Sequence, residues 1–224
     1  MKRSEVNQIL KDAECFLKEK NFLLPPWAYW NLEDWNRNKE NAQEVITNML
    51  GWDITDFGSG NFNKRGLFLF TIRNGKLNVD KKTYAEKVMI VEENQETPMH
   101  YHWNKMEDII NRGGGNLVIE LYNSTPDNQL DSTDVTFKKD GMTGTVKAGG
   151  KVILTPGESI TLEPGMYHRF YGEKGKVLVG EVSSVNDDST DNCFYEKVGR
   201  FPVIEEDEQP LYLLVSDYEK FLRS

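Results

Sequence analysis

The chain of 224 residues contains three histidines, at positions 100, 102 and 168, and all of them fall in two short stretches, Met99–Glu107 and Pro164–His168, that read as strand or tight turn. Successive side chains of a strand point to opposite faces, so His100 and His102 present two imidazoles on one face, within reach of a single ion. Glu107, five residues further on, can return to the same point from the adjoining turn or the next strand. With His168 this makes a nitrogen and oxygen ligand set suited to a first-row divalent metal. A lone histidine is more often a hydrogen-bonded residue than a ligand. Two at i and i+2 beside a glutamate, with the third after a Pro-Gly turn, form a metal-site pattern. Cys15 and Cys193 lie far apart and fit no zinc-finger or redox spacing.

Composition narrows the partners. A net charge of −9 with no basic stripe argues against nucleic acid, because nothing is available to neutralise phosphates. It suits a protein that handles a neutral small molecule. Residues 1–20 are dense in charge and hold no apolar run of the length needed for a signal peptide or a membrane span. The expectation is a cytoplasmic protein with no membrane partner and two free thiols.

The elements that must position the histidines follow from periodicity. Val6, Ile9, Leu10, Ala13, Phe16 and Leu17 recur at spacings of three and four, which predicts an amphipathic helix over residues 4–20 with Ser4 as its cap. The aromatic and proline-rich segment 22–30 reads as an extended arm, either packed on the body or serving as a lid or subunit-interface arm. A short helix is expected over 39–50, ended by Gly51. From Leu67 onward the texture changes to short β-branched and aromatic runs. These predict strands at 67–72, 84–91, 99–103, 117–122, 135–137, 152–154, 159–162, 167–171 and 177–182, and Asn74-Gly75 reads as a hairpin turn. Strands at this spacing describe an antiparallel sandwich or barrel, and the acidic run Glu205–Glu208 reads as a solvated loop.

The two histidine stretches resemble the paired motifs of the cupin superfamily. His100, His102, Glu107 and Gly114 match the first motif, with Asn94 where a glycine is usual; Gly157, Gly165 and His168 match the second, with Glu163 in place of proline, Pro164 one place later and Gly172 in place of asparagine. More specifically, Thr97–His100, Trp103–Gly115, Gly180–Asp188 and Gly199–Pro202 are similar to the D-lyxose ketol-isomerases, and the similarity runs across most of the chain. The resemblance implies a mainly β protein: a cupin jelly-roll β-barrel with an N-terminal helical segment and a C-terminal extension. It divides the chain into an N-terminal arm packed on the barrel (1–64), the barrel with its metal site (65–185) and an extension returning to it (186–224). It also implies a homodimeric, Mn²⁺-preferring enzyme, with Co²⁺, Fe²⁺ or Zn²⁺ as alternatives, that interconverts D-lyxose with D-xylulose and D-mannose with D-fructose. The ligands carried over are His100, His102, Glu107 and His168.

Isomerisation needs a base beside the metal and groups that handle the sugar hydroxyls. Glu181 lies in an otherwise apolar strand, Val177–Val182, where a charge is costly unless paired or used, although a strand-end residue facing solvent has the same sequence signature. Glu120, in Leu117–Leu121, raises the same argument as a substrate ligand. Lys87 and Lys105 can stabilise a developing oxyanion, or point to water as strand lysines usually do. Asp188 and Arg200 are candidates for the sugar hydroxyls or for a structural ion pair. Two further readings stay open: an Fe²⁺ cupin dioxygenase using the same ligands, and a sugar-binding cupin without turnover.

Overall fold

In the computed structural model, which describes residues 1–199 and 201–222, the predicted strands join into one antiparallel sheet. Its strands are β1 (Gly51–Thr55), β2 (Leu67–Arg73), β3 (Tyr84–Val91), β4 (His100–His102), β5 (Glu107–Asn123), β6 (Val135–Lys139), β7 (Met142–Val146), β8 (Gly150–Leu154), β9 (Ser159–Leu162), β10 (Met166–Ser184) and β11 (Asn192–Phe194). They are ordered β1-β2-β3-β10-β5-β9-β6-β7, with β8 also on β5 and β4 between β10 and β11. The architecture is the cupin barrel.

Two long strands organise it. β5 has 17 residues and β10 has 19. At about 3.3 Å per residue a straight strand of that length reaches roughly 55–60 Å, too long for a domain this size, so both must bend. They bend together where the register slips between Glu173 and Val177, opposite Gly113–Gly115. Gly114 has φ +101°, and a Cβ there would stand 2.1 Å from the Lys176 carbonyl oxygen. A Cβ on Gly115 would stand 2.5 Å from that of Glu173, so the crossing accepts glycine alone. Segments 167–171 and 177–182, which read as two strands, are thus one strand with a bulge, and 117–122 is the second half of β5. β1, β7 and β11 are not among the strands expected from the sequence.

Helices cover one face. α1 (Arg3–Glu19) starts one residue earlier than predicted, and its cap is Lys2, whose N–H donates to Glu5 Oε2 at 2.6 Å. Ser4 is not the cap, because its N–H and hydroxyl donate to Asp207 at 2.9 and 2.7 Å. Val6, Leu10, Ala13 and Leu17 of α1 bury against Trp52, Ile54, Phe68 and Phe70 on the outer face of β1 and β2. Truncating one such leucine to alanine costs about 2–5 kcal/mol. Arg3 is fully buried, with Asp217 on Nη1 and Nη2 and Glu206 on Nε and Nη2 at 2.8–2.9 Å, which fastens α1 to the C-terminal segment.

Between α1 and β1 lie α2 (Leu32–Asn38), which was not expected, and the single turn α3 (Gln43–Thr47), which falls within the short helix expected over 39–50 but spans less of it. Gly51 does not end a helix; it opens β1 with φ +127°. Trp35 of α2 packs with Leu213, Val215 and α4 (Tyr218–Leu222) in a separate apolar cluster. The proline-rich arm is a 3-10 turn at Pro26–Tyr29, packed on the body, where Trp52 Nε1 donates to the Ala28 carbonyl at 2.8 Å. Asn74-Gly75 does not form a two-residue hairpin, since β2 and β3 are joined by a loop over residues 74–83. No helix among the described residues is long and apolar enough to cross a membrane.

Alternation decides what faces the barrel interior. Along β1, β2, β3 and β10, Trp52, Ile54, Phe68, Phe70, Val88, Ile90 and Leu178 face the helices. The intervening Leu69, Met89, Val91, Val177 and Val179 fill the interior. The same period places Asp53, Lys87 and Glu181 inside.

Candidate active site

β4, β5 and β10 bring the predicted ligands together. His100 and His168 are opposed across the β4–β10 ladder, and Glu107 opens β5 beside them. Ligand atoms of His100, His102 and His168 lie within 4.8 Å of one another. Glu107 Oε1 stands 3.4 Å from His102 Nε2 and 3.2 Å from His168 Nε2, so the carboxylate completes the cluster.

The protonation pattern suits a cation. His100 Nδ1 is 2.9 Å from the Pro98 carbonyl, and His168 Nδ1 is 3.0 Å from that of Met166. A carbonyl only accepts, so both Nδ1 atoms carry a hydrogen, and in the neutral ring this leaves the lone pair on Nε2, turned toward the cluster. His168 Nε2 is buried without a hydrogen-bond partner, although it faces Glu107 Oε1. A neutral Nε2 and a carboxylate oxygen at that separation need a proton or a cation between them. Ligands on adjacent octahedral positions at about 2.1 Å from an ion stand roughly 3 Å apart, so the spacing fits a bound divalent metal.

Charge is arranged around the cluster to the same end. Burial lowers His100, with the neighbouring His168 and His102 pushing the same way, and burial with the Lys105 ammonium lowers His102; both imidazoles are neutral at pH 7, as ligands must be. For Glu107, burial alone would raise the carboxyl. The Lys105 ammonium and the imidazole of His102 outweigh it and hold the group well below the usual carboxylate range. Burial alone would lower Lys105, but the carboxylates of Glu107, Glu181 and Asp188 reverse this and hold it charged beyond its ordinary range.

Beside the ligands is a polar group read in part from the sequence. Lys105 Nζ donates to Glu107 Oε2 at 2.6 Å, Glu181 Oε1 at 3.0 Å and Asn186 Oδ1 at 3.2 Å, which uses its three hydrogens. Lys87 is paired with Glu181 across β3 and β10. Its Nζ makes one close contact, 2.7 Å to Asn186 Oδ1, with Glu181 and Asp188 at 3.6 and 3.7 Å. Glu181 receives Lys105 and the Ser183 hydroxyl on Oε1. All three side chains line a cavity of about 90 Å³ with the three histidines and Glu107. Glu181 is 3% exposed, so the reading that has it facing solvent is the wrong one.

Asp188 lines the same cavity, at its edge. Glu120 does not reach it. It alternates with Ile119 and Leu121, which take the interior, so it faces outward and pairs with Arg169 at 2.9 Å; it is withdrawn as a substrate ligand. Arg200 lies outside the described residues. Asp53 and Thr55 of β1 also line the cavity and were not anticipated, though the alternation Trp52-Asp53-Ile54-Thr55 carried the signal. Asn94, which stands where the motif has glycine, adopts φ +60°, in the left-handed region that favours glycine. A larger cavity of about 570 Å³ shares Asp53 and Asp188 as walls but contains none of the three histidines and not Glu107.

The sequence profile of the D-lyxose isomerases matches residues 1–218. The chain belongs to the D-lyxose isomerase family. It is 48% identical to the D-lyxose/D-mannose isomerase of Serratia proteamaculans, across 99% of this chain and 100% of that one. The D-lyxose/D-mannose isomerase of Escherichia coli O157:H7 is 47% identical over the same shares. Among solved structures, the L-ribose isomerase of Acinetobacter sp. DL28 in complex with L-ribose superposes with a TM-score of 0.58 at 14% identity, covering 88% of this chain and 93% of that one. Membership of this family makes the protein a sugar aldose–ketose isomerase and decides against the dioxygenase and the binding-protein readings.

Proposed function

We propose that this isomerase is metal-dependent and interconverts D-lyxose with D-xylulose and D-mannose with D-fructose, with Mn²⁺ held by His100, His102, Glu107 and His168. The observation that carries the metal is the buried, partnerless Nε2 of His168 facing a carboxylate oxygen 3.2 Å away. The substrate pairs rest on the names of relatives that are 47 and 48% identical over nearly the whole chain. When bound, the ion supplies a Lewis acid that polarises the sugar carbonyl.

The chain's own side chains then divide the remaining work. Glu181 moves the proton: the hydrogen bonds it accepts both reach Oε1, which leaves Oε2 to take the proton from C2 and return it to C1. Lys87, with a single hydrogen bond spent on Asn186, has hydrogens to offer an oxygen that gains charge as the proton leaves. Lys105 works differently. With all its donors engaged it fixes Glu107 against Glu181 and keeps Glu107 ionised, so it orients the site without touching the sugar. Asp188 and Asp53, on the cavity wall, face the sugar hydroxyls.

Running D-lyxose turnover in D₂O tests the assignment. Deuterium enters C1 of the ketose if a side chain exposed to exchange carries the proton, and Glu181→Gln keeps its metal while turnover falls by about 10²–10⁴-fold. Retention of the C2 hydrogen in the product, together with a Glu181→Gln variant that turns over normally, would overturn it.

A further inference from the structure

The segment that follows β10 reaches back into the site through one neutral side chain. Asn186 Oδ1 accepts from both active-site lysines, at 2.7 Å from Lys87 Nζ and 3.2 Å from Lys105 Nζ. Two cations on one uncharged acceptor is an unusual choice where three carboxylates, Glu107, Glu181 and Asp188, stand within reach of the same ammoniums. The result is asymmetric. Lys105 is bonded to Glu181 at 3.0 Å, whereas Lys87 is held off at 3.6 Å.

Asn186 is itself fixed from outside the barrel. Its N–H donates to Asn74 Oδ1 at 3.0 Å, and Asn74 Nδ2 donates back to its carbonyl at 2.9 Å, a reciprocal pair that imitates a β-bridge. The Asn74 carbonyl in turn accepts from Asn48 Nδ2 at 3.0 Å. Asn48 and Asn74 are both buried, so this is an internal brace rather than surface decoration. Asn74 is the residue that read as a hairpin turn; its carboxamide is used here instead.

We propose that Asn186 is a positioning residue of the isomerase reaction, holding Lys87 away from Glu181 so that the lysine faces the sugar and the glutamate keeps an oxygen free. The inference rests on the roles given above to Glu181 and Lys87. Without the carboxamide oxygen, the nearest acceptors for Lys87 are Glu181 and Asp188, and its collapse onto Glu181 ties base and donor to each other. Misplacing a reacting group by about 1 Å costs on the order of 10²-fold in rate.

A double-mutant cycle on the Mn²⁺-loaded enzyme decides it, with metal per chain measured alongside kcat and KM for D-lyxose. Asn186→Ala should lower kcat by roughly 10- to 100-fold, with metal content unchanged and KM moved by less than about threefold. In a Lys87→Ala background the same substitution should add less than about twofold, because its effect passes through that lysine. Asn74→Ala, which leaves the Asn186 carboxamide in place, should give a smaller loss that also vanishes in Lys87→Ala; it carries the test if Asn186→Ala does not fold. Equal losses in both backgrounds, or no loss from Asn186→Ala, would overturn the positioning role while leaving the isomerase reading intact. A wild-type protein that turns over neither lyxose nor mannose would overturn that reading, and this role with it.

Discussion

Replacing Lys105 with methionine is the perturbation whose size the structure fixes best. Methionine keeps most of the stem, and the backbone is held independently by Asp191, which accepts from the N–H groups of Asn104 and Lys105 at 2.8 and 2.9 Å. The change is therefore confined to the ammonium. Its loss strands Glu107 and Glu181, whose side chains are 3 and 4% exposed, as buried carboxylates without their shared cation. Removing one partner of a buried ion pair costs about 3–5 kcal/mol. At roughly 2–4 °C per kcal/mol for a chain of this size, the metal-stripped variant should melt about 6–20 °C below the stripped wild type. Loaded with Mn²⁺ the gap should narrow, because the ion restores positive charge at Glu107. Melting wild type and Lys105→Met, each stripped and reloaded, gives the four midpoints required. A stripped variant that melts within about 2 °C of the wild type would refute the claim that this lysine neutralises the buried acids.

His102→Ala should lower metal content and turnover together, read by elemental analysis beside the rate; a variant that is metal-free and fully active would sink the ligand assignment. Gly114→Ala, at the crossing of β5 and β10, forces a Cβ onto the Lys176 carbonyl and should destabilise the fold by about 2 kcal/mol or more in denaturant unfolding. Away from the site, Glu206 is held down to about 2 by its hydrogen bond to the Arg3 guanidinium, with Lys220 assisting. A carboxyl depressed on folding contributes its stability in full above its ordinary value of 4.5 and loses it as pH falls toward about 2. Glu206→Gln should thus be less stable at pH 7 and lose less on acidification, and parallel stability profiles for the two proteins would contradict this.

How much of this was legible in the sequence depends on range. The histidine cluster was legible because the strand period and the His-x-His spacing are local, and the structure brings His100, His102 and His168 together with Glu107 beside them. Glu181 was readable only as a costly charge in an apolar strand, and Lys87 only as a strand lysine that stabilises an oxyanion or points to water; which way they face is settled by alternation with Val177, Val179 and Met89 once the interior is known. Glu120 misled for the same reason, since an outward glutamate paired with Arg169 on a neighbouring strand looks identical in a single strand. The bend in β5 and β10 was hidden because no local pattern marks it, and only the approach of Gly114 and Gly115 to the Lys176 and Glu173 carbonyls shows a crossing. Asn74-Gly75 failed as a hairpin because its partner is Asn186, 112 residues away. Helix caps failed similarly, with Ser4 drawn to Asp207 across the length of the chain.

The central claim is tested most directly by following the conversion of D-lyxose to D-xylulose with protein stripped by chelator and then reloaded with Mn²⁺. The account predicts negligible turnover by the stripped protein and recovery that rises with metal to saturation at one ion per chain. Full activity in rigorously metal-free protein, or no conversion of lyxose or mannose after reloading, would contradict it.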